Sequence, residues 1–371
     1  MKVTHFGRAA ALLSVTALAL TACNGNGGDE ENGENGEEVS AEEVEGTLSG
    51  GGASSQESAM TEWTQQFMEV APNAQVDYAS VGSGGGRDGL LGGEYDFAGS
   101  DAAMDDDEWE DSKEVCGDEG AFHIPSYISP IAVAYNIEGV EDGLQLDADT
   151  IAEIFAGEIT SWDDEAIAEQ NEDADLPSTS ITVVHRADDS GTTENFTEYL
   201  EAAAPDSWPE EASGDWPSDL SAESAQQTSG VVNLTSETDG AITYADAGQI
   251  GELNSVDVRV GGDYVEYSPE AAAQAVEMSP QAEGQAENDM AFDLERDTTE
   301  EGTYPIVMVA YNIFCNEYDS QETVDLVKAF GEYTVSEDGQ NAAADAAGSA
   351  PMSEELRSEA EDAFSQVSAA E

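Results

Sequence analysis

Two apolar runs constrain this chain more than any other feature. Ile124 to Asn136 contains Pro125 and Pro130, and Tyr304 to Phe314 contains Pro305 followed by Ile306, Val307, Met308, Val309 and Ala310. Continuous apolar, β-rich runs of this kind read as strands covered on both faces. Between them lies a complete α/β segment: helical patterns at Ile151, Ile154 and Phe155 and again at Trp162 and Ile167, a strand opening at Ile181, and a helix and strand within Val231 to Ala247. One run going out and one returning would give two α/β lobes in the order lobe one, lobe two, lobe one. In that topology Cys116 precedes the outward crossing and Cys315 follows the return. Adjacent antiparallel crossings would bring them together, which favours a disulfide over two free buried thiols.

Three loops of small residues, near Ser54, Ser83 and Ser190, stand at helix starts. Gly50 to Ser55 precedes a helix with Met60, Trp63 and Phe67 on one face; Gly82, Ser83 and Gly84 follow the strand Val76 to Val81; Gly99, Ser100 and Asp101 end a strand from Tyr95. The loop around Ser190, made of His185, Arg186, Ala187, Asp188, Asp189, Ser190, Gly191, Thr192 and Thr193, joins the strand at Ile181 to a helix. Such loops gather at the carboxyl ends of strands in an open α/β sheet, where ligands bind. Unpaired N–H groups and the positive dipole end make helix starts suited to anions; Ser190 and Thr192 add hydroxyls, and Arg186 adds a planar cation.

The composition narrows the partners. Nine Lys and Arg stand against 82 Asp and Glu, a formal net charge of −73 spread along the whole chain. Charge of that sign repels nucleic acid and anionic membranes, and it suits a protein kept hydrated in concentrated salt. Residues 1–23 have a basic start, a short apolar core and Leu20, Thr21, Ala22 and Cys23, the pattern of a lipoprotein signal in which Cys23 is lipidated. Residues 24–46, rich in Gly, Asn and Glu, read as an acidic flexible tether. His123 and His185 lack the carboxylate spacing of a metal site, and Ser83 lacks the spacing of a nucleophile elbow. Neither a cofactor nor an enzyme activity is expected. Arg87 reads as a charge at a cleft mouth or a solvated side chain, and Asn195 and Asn233 begin glycosylation sequons.

From about Thr47 to Phe364 the chain resembles the substrate-binding lipoproteins of phosphate-specific ABC transporters, in a haloarchaeal style. Val81 to Arg87, Tyr95 to Asp101, Ile151 to Ile167 and Ile181 to Tyr199 carry the resemblance most specifically. It implies a two-lobed periplasmic-binding-protein fold of type II, with 47–125 and 305–371 as lobe one and 126–304 as lobe two. It also implies a lipid-anchored monomer on the extracellular face of the membrane, which binds inorganic phosphate and delivers it to permease subunits. By that resemblance the ligand positions are Ser54, Ser55, Ser83, Asp101, Arg186, Ser190, Gly191 and Thr192, with Asp188 holding Arg186. The family usually has threonine and phenylalanine at Ser54 and Ser55, and glycine at Asp189, where aspartate would have to make the turn, if needed in left-handed geometry. The alternatives are a receptor for molybdate, tungstate or sulfate, and a phosphate-sensing surface protein without a transporter.

At −73 the chain repels an anion until salt screens it, with a screening length of about 3 Å at 1 M. Phosphate association, followed by stopped flow, is expected to quicken from low to molar salt. Rates that stay flat or fall while the protein remains folded would contradict this.

Overall fold

The computed structural model describes residues 40–140, 142–282 and 284–370. The signal, Cys23 and most of the tether lie outside them. The first part of the chain holds strand β1 (Glu45–Gly52), helix α1 (Glu57–Val70), β2 (Asn73–Ser80), α2 (Ser83–Leu91), β3 (Phe97–Ser100), α3 (Asp106–Cys116) and the long β4 (Ala121–Asn136). The middle holds β5 (Leu144–Leu146), α4 (Ala148–Phe155), α5 (Glu165–Gln170), β6 (Thr182–Arg186), α6 (Gly191–Ala203), β7 (Glu223–Ala225), α7 (Gln227–Glu237), β8 (Ala241–Asp246), β9 (Asn254–Val260), β10 (Asp263–Val265) and α8 (Pro269–Met278). The chain returns through β11 (Val307–Cys315), β12 (Glu317–Tyr318), α9 (Gln321–Val335), α10 (Glu337–Ala347), α11 (Glu354–Ser365) and β13 (Ser368–Ala369).

The two apolar runs are β4 and β11, and they pair with each other antiparallel from Val307 opposite Pro130 to Cys315 opposite Ala121. Beyond Pro130, β4 changes partner: Ile131 to Asn136 pair with β8 instead. The main path through the sheet therefore runs β2-β1-β3-β11-β4-β8-β6-β7. On one side β1 lies parallel between β2 and β3; on the other β6 lies parallel to β7 and β8. The prolines fit this course. The register shifts between Ala310 and Tyr311, so that Ser126 is skipped next to Pro125, and Pro130 stands where the pairing changes. A residue without an N–H costs least at a bulge or at the end of a ladder.

Two cores follow from the crossing. One collects Trp63, Phe67, Phe97, Phe122, Phe314 and Phe330, the other Tyr135, Phe155, Trp162, Phe196 and Tyr244. Within β4 itself, Ile124, Tyr127 and Ile128 join the first core, and Ile131, Val133 and Tyr135 the second. The i, i+3, i+7 spacing of Met60, Trp63 and Phe67 puts all three on the buried face of α1. Serines mark many helix starts: Ser190, Ser268, Ser320, Ser336 and Ser353 each accept a backbone N–H of the first turn.

Two expectations shift. The first lobe takes in residues before Thr47, because Val44 is buried in the first core and Glu45 and Gly46 pair with Asn73 and Ala74. The first core also draws on Ala272, Ala275, Val276, Met290 and Ala291, inside the range 126–304, since α8 and the segment after it lie against β4 and β11.

A disulfide joins Cys116 to Cys315 across a separation of 199 residues. Replacing both with alanine is expected to lower the free energy of unfolding by about 2–5 kcal/mol. Urea unfolding in molar salt, with reductant-treated parent protein as control, measures it.

Candidate functional site

The loops after β1, β2, β3 and β6 meet at the carboxyl ends of those strands, and the starts of α7 and of the turn after β8 join them. Asp101, which follows β3, is buried with only 2% exposure. Its carboxylate accepts from the Ser55 hydroxyl at 2.7 and 2.6 Å and from the Thr192 hydroxyl at 3.0 Å, and its backbone N–H donates to Ser83 Oγ at 3.2 Å. Burial raises its pKa from the ordinary aspartate value, while the Ser55 and Thr192 hydroxyls and the Arg186 charge oppose the rise.

Arg186 ends β6 and is buried. Its Nε donates to Asp188 Oδ1 at 2.9 Å and its Nη2 to Asp188 Oδ2, a two-point grip that aims the guanidinium. Burial alone would raise the Asp188 pKa, but the hydrogen bonds and charge of Arg186, with the N–H of Gln227, hold it below the ordinary value. Asp188 therefore stays ionised and keeps Arg186 in place. Ser190 caps α6 by accepting from Thr193 N–H. Gly191 lies so close to the other lobe that a Cβ there would come 2.7 Å from Ser83 Oγ and 3.0 Å from Asp101 Cβ. Only glycine lets the start of α6 approach this closely.

Ser54 sits differently from its neighbours. Its hydroxyl lies 3.0 Å from that of Thr228 and accepts the Thr228 N–H at 3.1 Å, capping the first turn of α7 from the opposite lobe. The turn at Asp189 also differs from expectation. Among the described residues Gln227, with φ 65°, is the non-glycine residue at positive φ, so Asp189 makes its turn without left-handed geometry. Its bulk is absorbed elsewhere, since a Cβ on Gly84 or Gly214 would come within 2.2 or 2.3 Å of the Asp189 carboxylate. Arg87 is buried rather than solvated: it pairs with Glu108 at 2.9 Å and reaches Glu194 at 3.7 Å. Burial lifts Glu194 to about 7, with Arg87 only partly opposing this. Asn195 is also buried, its amide committed to protein carbonyls, which rules out a glycan there; Asn233 is exposed on α7. His123 pairs with Asp289 at 2.6 Å, and His185 stacks on Trp216.

Four residues to which the sequence gives no part in the site tie the two sides together. Thr228 meets Ser54; Gln227 donates its backbone N–H to Asp188 and its side chain to Ser80 O at 2.6 Å; Gln249 donates to Ser55 O at 2.7 Å; Asn195 donates to Asp101 O at 2.7 Å. A signal for the first two existed, because Thr228, Ser229 and Gly230 form another small-residue helix start after a strand. Gln249 and Asn195 carry no such mark.

Fold and cleft together define a two-lobed substrate-binding protein, and the chain matches the PBP superfamily domain over residues 38–338. The phosphate-binding protein PstS 3 of Mycobacterium tuberculosis (strain ATCC 25618 / H37Rv) is 34% identical over 373 residues, covering 96% of this chain and 97% of that relative. PstS 2 of the same strain is 34% identical over 339 residues, with 89% and 90% covered. Among solved structures, a high affinity periplasmic phosphate-binding protein (PfluDING) bound with phosphate has a TM-score of 0.66 at 20% identity, covering 84% of this chain and 92% of that one. A putative phosphate ABC transporter substrate-binding protein with bound phosphate from Clostridium perfringens has a TM-score of 0.59 at 17% identity, covering 81% and 98%. These two structures share the fold. The chain belongs to the PBP superfamily and, within it, to the family of the PstS phosphate-binding proteins. That family consists of substrate-binding receptors, not enzymes.

Asp246, at the end of β8, offers a pH test of burial near this cleft. Its Oδ1 accepts the Gly248 N–H at 2.8 Å. Burial pushes its pKa up to about 7, with the Ser129 hydroxyl and Gly248 N–H partly opposing this and the charge of Asp101 adding to it. Unfolded aspartate titrates near about 3.9. Between those values the folded chain keeps a proton that the unfolded chain has released, so the parent loses stability as pH rises through that window. Asp246→Asn keeps the acceptor and cannot ionise. Its stability relative to the parent is expected to rise from pH ~4 to ~7 and then level off. Denaturation midpoints across that range at fixed salt check this, and a constant difference would contradict it.

Proposed function

We propose that this chain is an extracellular receptor that captures one inorganic phosphate between its lobes and delivers it to the permease of an ABC transporter. The observation that carries this reading is the company Asp101 keeps: a buried carboxylate that accepts from hydroxyls on both sides of the cleft, with the Arg186 charge acting on it. A buried anion needs its oxygens hydrogen-bonded; the start of α6, Arg186 and Ser83 supply donors, and Ser55 and Thr192 supply two more once their hydroxyls turn from Asp101 to the anion. An ionised carboxylate can only accept. It suits an anion that carries a proton near neutral pH, as phosphate does, and it repels one that does not, as sulfate. In this reading Ser54, Ser55, Ser83 and Asp101 serve from lobe one and Arg186, Ser190, Gly191 and Thr192 from lobe two. The names of the PstS relatives support the ligand.

The remaining assignments rest on sequence. Cys23 carries a lipid that anchors a monomer to the outer face of the membrane, and the charge of −73 belongs to a haloarchaeal, high-salt setting. Among the described residues no helix is long and apolar enough to cross a membrane.

Calorimetric titration of the mature domain, freed of anions in molar chloride, tests the function. Phosphate is expected to bind one to one while sulfate gives no heat. Asp101→Asn is expected to lose phosphate affinity by about tenfold or more and to gain measurable sulfate binding, since one unmet buried partner costs about 1–3 kcal/mol. A parent silent to phosphate, or one that takes sulfate, molybdate or tungstate more tightly, would overturn the reading.

A further inference from the structure

Asn195 stands one helical turn past Gly191 on α6, buried, and touches both halves of the anion site. Its Nδ2 donates to the backbone carbonyls of Gly191 and Asp101, each at 2.7 Å. One carbonyl belongs to the loop of Arg186, the other to the loop that carries the buried carboxylate. Both acceptors need the same NH2 group, so the amide has one useful orientation.

Arg296 enforces that orientation. Its Nη2 donates to Asn195 Oδ1 and, at 2.7 Å, to Glu198 Oε2, while Nη1 donates to Val307 O. A guanidinium has only donors, so the Asn195 oxygen must face it and the nitrogen must face the two carbonyls. The segment carrying Arg296 is packed on the first core through Met290 and Ala291, and Val307 begins β11. The arginine thus ties α6 to the crossing strands. A cavity of about 470 Å³, lined by Asp101, Asn195, Glu198, Arg296 and Tyr311, reaches the same point from outside. Asn195 lies between that cavity and the start of α6.

We propose that Asn195, oriented by Arg296, is a positioning residue that holds the start of α6 against the Asp101 loop and sets how long a bound anion stays in the closed cleft. The proposal rests on the phosphate reading above. Asn195 contacts backbone carbonyls and adds no donor of its own to the anion; its effect runs through the placement of Gly191 and Asp101. Loss of the link should therefore speed release far more than it slows capture, because association begins from the open cleft before these contacts exist.

Stopped-flow association and dissociation of inorganic phosphate in molar chloride test this on the parent, Asn195→Asp, Arg296→Gln, Arg296→Lys and the double variant N195D/R296Q. Asn195→Asp keeps the size and the acceptor for Arg296 but removes both donated bonds. Its dissociation rate is expected to rise about ten- to a hundredfold, with association changed less than about threefold. Arg296→Gln should share part of that effect, Arg296→Lys should recover some of it, and the double variant should release no faster than Asn195→Asp alone. Parental release from Asn195→Asp, or effects that add in the double variant, would overturn the proposal. Should Asn195→Asp fail to fold, Asn195→Ser removes the amide without placing charge beside the two carbonyls and is read by the same criteria. A parent that binds no phosphate overturns the functional reading instead. In that case hydrogen exchange at the Gly191 and Thr192 amides still reads the link: faster exchange in the variant supports it, and unchanged exchange refutes it.

Discussion

The pairing of β4 with β11 is the constraint on which the rest of this protein depends. Each strand is buried along its length, and β4 belongs to one half of the sheet up to Pro130 and to the other half after it. A strand that changes partner midway has to feed two cores, and it does so with residues of one sequence: Ile128 packs in the first, Ile131 in the second. Everything else is placed relative to this pair. The loops after β1, β2 and β3 face those after β6 and β7 because both sets of parallel strands are laid off its two edges.

Charge is the second constraint. In a chain this acidic a buried cation has many possible partners, so what matters is which carboxylate it finds. The buried arginines each meet specific ones: Arg87 meets Glu108 and Glu194, Arg186 meets Asp188, and Arg296 meets Glu198. Burial makes these interactions less exposed to salt than surface pairs are. Asp101 is the counterexample. It lies among hydroxyls and a backbone turn, with the Arg186 charge acting on it without a direct pair. Pairing Arg186 with Asp188 leaves Asp101 as an acceptor.

Much of this was readable from residues in order. The spacing of Met60, Trp63 and Phe67 marks α1, the two proline-bearing apolar runs mark the crossing, and Ser190-Gly191-Thr192 marks a helix start suited to an anion. These signals are local, or depend on burial on both faces, which composition records. Arg87 reads in sequence as a mouth charge or a solvated side chain because its carboxylates lie elsewhere in the chain, Glu108 on α3 and Glu194 on the other lobe. Ser54 stands in sequence with the other loop serines, and its hydroxyl also caps α7 across the cleft. These contacts share one feature: each partner is distant in sequence, and a hydroxyl or guanidinium does not declare which acceptor it will meet.

The sequence by itself determined the element types, the two-lobed α/β plan, the loops that gather at one end of the sheet and the acidic surface, because periodicity, capping residues and charge act over a few residues or over the whole composition. Tertiary structure alone decided the contacts that cross the cleft. Gln227 adopts a left-handed backbone whose N–H reaches Asp188 and whose side chain reaches Ser80; Gln249 reaches Ser55; Asn195 reaches Asp101 under the control of Arg296. None of these amides differs in the sequence from an ordinary polar residue on a helix or a turn. Each acquires its role only when two segments far apart in the chain are brought within hydrogen-bonding distance, where a buried donor must find an acceptor or lose its water without compensation.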